Sequence, residues 1–170
     1  MIRLQDLITE ITLGGVQPYA TQFVWRFVDP HYEAEFDADG NKILFAFTEQ
    51  ARMEWSFGIL TQTADREGWT VTHARSAAVG QINYLRLMST VAEAILDFVA
   101  LKSPKSVDIT GSDPGSTEKD LQKTRIYKMM LQANSARLAT AGYTWLHRNG
   151  KLWIVRKADA DASGVADDMN

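Results

Sequence analysis

The chain of 170 residues contains no cysteine. That excludes disulfides, cysteine-ligated zinc and thiol catalysis. It carries no strong excess of either charge. A net charge of −3 gives no general attraction to nucleic acid or to an anionic membrane, so nucleic acid is not an expected partner. No apolar run approaches the ~20 residues of a membrane-spanning helix. The opening residues from Met1 to Ile11 are amphipathic and include Asp6 and Glu10, unlike a signal peptide. The three histidines, His31, His73 and His147, fall on separate elements without metal-ligand spacing, so no metal is expected. There is no Gly-Lys-Ser/Thr phosphate loop, no Gly-x-Ser-x-Gly elbow and no internal repeat. The expectation is a soluble protein that spans no membrane.

What is present argues for a packed globule. Hydrophobic residues make up 45% of the chain and five are tryptophans, enough for one domain with a real core. We expect that domain over residues 1–157, including a short helix at 2–12. From Ala158 the sequence turns to Asp, Ala, Ser and Gly, the composition of a disordered acidic tail at 158–170.

The segment from Phe23 to Val28 is rich in strand formers and closed by Asp29-Pro30. Tyr32 to Asp37 and Ile43 to Phe47 flank Ala38-Asp39-Gly40-Asn41, a strong hairpin signature. Met53 to Leu60 alternates as a further strand, residues 61–68 are polar, and Trp69 to His73 makes a short strand. All five tryptophans, at 25, 55, 69, 145 and 153, fall on strand candidates, where core or partner contact is their expected role.

The most organised stretch runs from Arg75 to Leu101. Small residues lead into a helix over 83–101, with Tyr84, Leu87, Met88, Val91, Ile95, Phe98 and Val99 on one stripe. Lys102-Ser103-Pro104 breaks it, and Val107 to Thr110 is a brief strand. A helix flanked by these two strands predicts a parallel crossover unit. A second helix, capped by Ser116 or Thr117, should run to about Thr140 and end at Gly142. Leu121, Tyr127, Leu131, Asn134 and Leu138 line one of its sides. Tyr143 to His147 and Lys151 to Arg156, joined through Asn149-Gly150, form a final hairpin.

This order resembles the GNAT N-acetyltransferase fold. The resemblance rests on the loop before the central helix and on Ala141-Gly142-Tyr143 after the second. It implies an α+β domain with a mixed, mostly antiparallel sheet, two main helices, a short N-terminal helix and a C-terminal hairpin. The family loop reads Gln/Arg-x-x-Gly-x-Gly/Ala, and its amides hold the pyrophosphate of acetyl-CoA. Here Arg75 and Gly80 match, whereas Ala78 replaces the middle glycine. The resemblance thus implies a degenerate acetyl-CoA site at Arg75, Ala78, Val79, Gly80, Gln81, Ile82 and Asn83. It implies Tyr127 as the acid for the departing thiolate, with His73 or Glu54 as the base. Tyr127 and Gly142 lie fifteen residues apart, longer than is usual in the family.

The sequence is also similar to small proteins encoded by tailed bacteriophages. The similarity lies in the N-terminal helix, Gly80 followed by Leu87-Met88-Ser89-Thr90-Val91, the Lys-Ser-Pro-Lys break and the helix bearing Tyr127. It implies a virion or host-interaction protein, located in the host cytoplasm or virion, with a phage or host protein as partner. Bland readings accompany each residue. Gly80 also serves a strand-to-helix turn, Arg75 a surface ion pair, Tyr127 a core contact and His73 a structural strand position. Two functions follow: a non-catalytic interaction module, or an acetyl-CoA-dependent N-acetyltransferase acting on an amine.

Overall fold

The computed structural model describes residues 16–62, 69–71, 84–109, 118–148 and 150–162. It is a mixed α+β chain with a mostly antiparallel sheet. The strands are β1 (Arg26–Val28), β2 (His31–Ala38), β3 (Asn41–Ala51), β4 (Glu54–Gln62), β5 (Trp69–Val71), β6 (Ser106–Asp108), β7 (Tyr143–Arg148) and β8 (Lys151–Arg156). The helices are α1 (Tyr84–Lys102), α2 (Glu118–Ala133), α3 (Ser135–Thr140) and α4 (Lys157–Ala162). Hydrogen bonding orders the strands β1-β2-β3-β4-β6-β8-β7, with β5 on β4. The chain divides into two compact units, residues 1–48 with 58–95, and 49–57 with 96–170.

In the first unit, β1, β2 and β3 form an antiparallel meander. Asp39 and Gly40 both take positive φ, 53° and 84°, as a two-residue hairpin whose twist matches its strands requires. The Asp37 carboxylate accepts the Gly40 amide at 2.9 Å. Ile43 to Phe47 of β3 are all buried, with Ala34 of β2 opposite Phe45. Of the expected 23–28 strand, only Arg26–Val28 pairs. Phe23 instead stacks against Trp25 at 5.7 Å and lies 6.2 Å from Phe45, and Trp25 meets Phe47 at 5.3 Å. Aromatic packing has displaced ladder formation there. The first half of α1 buries Leu87, Met88, Val91 and Ile95, as its periodicity predicts. Residues 16–19 are strapped along it. Ser89 Oγ donates to the Val16 carbonyl at 3.3 Å, Arg86 Nε to the Gln17 carbonyl at 3.0 Å, and the Tyr19 amide to Thr90 Oγ1 at 2.8 Å.

In the second unit, β6 pairs in parallel with the start of β4, from Glu54↔Ser106 to Ser56↔Asp108. The parallel partner is thus β4 and not β5, which pairs antiparallel with Leu60–Gln62. β6 continues antiparallel to β8, and β8 to β7. Ser103 ends α1 at φ 45°, and buried Pro104 follows. The expected single helix to Thr140 is two, divided at Asn134. Asn134 Nδ2 donates to the Met130 carbonyl at 2.9 Å and Ser135 Oγ to the Leu131 carbonyl at 2.9 Å. Side chains that compete for helix carbonyls in this way bend the helix. Gly142, at φ 88°, starts the final hairpin as expected. Lys157–Ala162 are helical and Ala160 is buried.

Candidate functional site

Only two residues of the expected acetyl-transfer site lie among the described residues. Arg75, Ala78, Val79, Gly80, Gln81, Ile82, Asn83 and His73 lie outside them. Tyr127 sits on α2 and is 3% exposed, beside buried Ile126, Met130 and Leu131. Its place on an apolar helix face is that of a core side chain. Glu54 opens β4 opposite Ser106 and is half-buried. The two stand on separate elements of the second unit.

The structure presents other chemistry that sequence reasoning missed. In the first unit, buried Glu33 is shared by a guanidinium and an imidazole. Its Oε1 accepts from Arg26 Nη2 at 3.1 Å, and its Oε2 lies 3.2 Å from His31 Nε2. The pairing Arg26↔Glu33 across β1 and β2 places the guanidinium there, and the i, i+2 spacing puts His31 on the same face. In the second unit, the Tyr143 hydroxyl donates to the Pro104 carbonyl at 2.6 Å in a buried setting. Burial pushes its pKa up to about 12, with Arg156 opposing the rise and Asp159 adding to it. Gly-Tyr was legible in the sequence as a helix end. Its hydrogen-bond partner, 39 residues away, was not.

A further surface stands at the end of the hydrogen-bonded order. All three residues of β1 are exposed. Phe27 is 59% exposed, and Val28 and Val24 beside it are 44% and 83% exposed. Phe27 touches Tyr32 at a 5.0 Å ring separation, which fixes its direction without covering it. Burying such side chains against a partner is favourable by roughly 25 cal/mol for each Å² removed from water.

Among the described residues, no three His, Cys, Asp or Glu side chains converge as a metal-ligand set, and no helix is long and apolar enough to cross a membrane. No family model, curated protein or solved structure matches this chain.

Proposed function

We propose that the chain is a non-catalytic protein-interaction module of the kind tailed phages encode, acting in the host cytoplasm or the virion. The observation that carries this reading is the exposure of the apolar side chains Val24, Phe27 and Val28 on and beside β1. Short edge strands with uncovered apolar side chains are where another chain can add. The core position of Tyr127 supports the same reading, because a thiolate acid must reach the reacting atoms.

The test is thermal unfolding with and without about 1 mM acetyl-CoA, since a ligand of the native state raises the melting temperature. The expected result is no rise. A rise accompanied by acetyl transfer to an amine overturns the reading. A photo-crosslinking side chain at position 27 is expected to label one discrete protein in host extract, whereas one at exposed Arg137 labels none.

The alternative, an acetyl-CoA-dependent N-acetyltransferase with a GNAT-like fold, draws support from one observation. β4 and β6 pair in parallel with α1 between them in the chain. On that reading Tyr127 is the acid, His73 or Glu54 is the base, and the amides after Gly80 hold the pyrophosphate.

A further inference from the structure

The strands of the second unit gather basic side chains that lie far apart in sequence. β4 and β6 are parallel, so both begin where antiparallel β8 ends. At that end the Met53 carbonyl accepts the Lys105 amide at 2.8 Å, and the Arg156 amide donates to the Lys105 carbonyl at 3.2 Å. Met53 is therefore set beside Lys105, and Lys105 beside Arg156, with Arg52 and Lys157 the next residues along their chains at the same end of the sheet. Lys102 closes α1 just before them. Arg52, Lys105 and Lys157 are exposed and carry no ion pair among the described residues. Arg156 is held by Asp159 at 2.6 Å.

The carboxylates of the same stretch, Glu49, Glu54 and Asp159, leave the cluster positive in a chain that is negative overall. Leu101, 55% exposed, adds an apolar contact at the end of α1. Among the described residues at this end there is no exposed aromatic on which bases could stack. Spaced carboxylates with an apolar residue between them fit better.

We propose that this end of the sheet docks an acidic, extended segment of a partner protein, with carboxylates on Arg52, Lys105 and Lys157 and an apolar side chain on Leu101. The proposal rests on the interaction-module reading and names the chemistry of a partner.

The test is fluorescence anisotropy of a labelled peptide of about ten glutamates interrupted by leucines, titrated with the full chain. Saturable binding is expected at low salt, weakening as salt rises to about 0.2 M, where the Debye length has fallen below 8 Å. The triple variant Arg52→Glu/Lys105→Glu/Lys157→Glu should bind at least about tenfold more weakly. Lys105→Gln/Lys157→Gln should weaken binding with unchanged melting, separating lost charge from lost fold. Arg148→Glu, at the far tip of the β7–β8 hairpin, should bind as the unaltered chain does.

Absence of binding at low salt overturns the proposal, as does equal loss in Arg148→Glu. Tighter binding of a single-stranded oligonucleotide of matched charge also overturns it, assigning the patch to phosphates. Each of these leaves the module reading standing. That reading falls separately if acetyl-CoA still stabilises the triple variant.

Discussion

The hydroxyl of Tyr143 and the carbonyl of Pro104 meet at 2.6 Å inside the second unit, joining the start of β7 to the link between α1 and β6. Tyr143→Phe keeps the ring and strands the buried carbonyl, at a cost of about 1–3 kcal/mol; denaturant unfolding reads it. The bond also predicts a pH dependence. The folded pKa of about 12 lies above the ordinary 10.0, so above pH 10 the unfolded chain loses this proton while the folded one keeps it. Stability is whole below that point and falls as pH rises toward 12. Tyr143→Phe should flatten this slope, and an unchanged slope would refute the assignment.

Gly142 holds φ at 88°, where a side chain is strained, yet a Cβ built there meets nothing within 4 Å. The cost of Gly142→Ala is thus backbone strain alone, about 1–2 kcal/mol. Chemical unfolding should show a lower midpoint with an unchanged slope on denaturant. A neutral result would mean that the turn relaxes to negative φ.

Phe98 is completely buried and packs edge-on to Trp55 at 5.2 Å. Phe98→Ala should cost about 3–5 kcal/mol through lost transfer energy and the cavity left behind. The fluorescence of Trp55 should change with it. A loss below about 1 kcal/mol would mean that the helix does not pack there.

Local chemistry was legible where it acts alone. Asp39-Gly40 forces its hairpin whatever surrounds it, and the three-and-four spacing of Leu87, Met88, Val91, Ile95 and Phe98 admits one buried face. What escaped depends on partners distant in sequence. β6 was expected in a crossover from β5, but strand pairing is decided by which ladder is open, and β4 offered Glu54–Ser56. The break at Asn134 came from side chains bonding helix carbonyls, a choice that apolar periodicity does not record. The candidate site was less legible still. Tyr127, on the apolar side of its helix, reads as core before it reads as acid, and only its burial decides; the basic end exists only once β4, β6 and β8 align.

The last described helix, α4, is rich in Ala and Asp. Three contacts help to attach it. Arg156 Nε donates to Asp159 Oδ2 at 2.6 Å, the Lys157 amide donates to the Gly142 carbonyl at 3.0 Å, and Ala160 is 2% exposed. The ion pair is partly solvated, so Asp159→Asn should cost no more than about 1 kcal/mol. A charge at Ala160 would be buried and stripped of its hydration. Ala160→Asp should therefore release α4 and raise amide exchange across Lys157–Ala162, while exchange in β8 stays slow because its ladders with β6 and β7 persist. Protection of α4 retained in Ala160→Asp would show that the helix is held by something other than this contact.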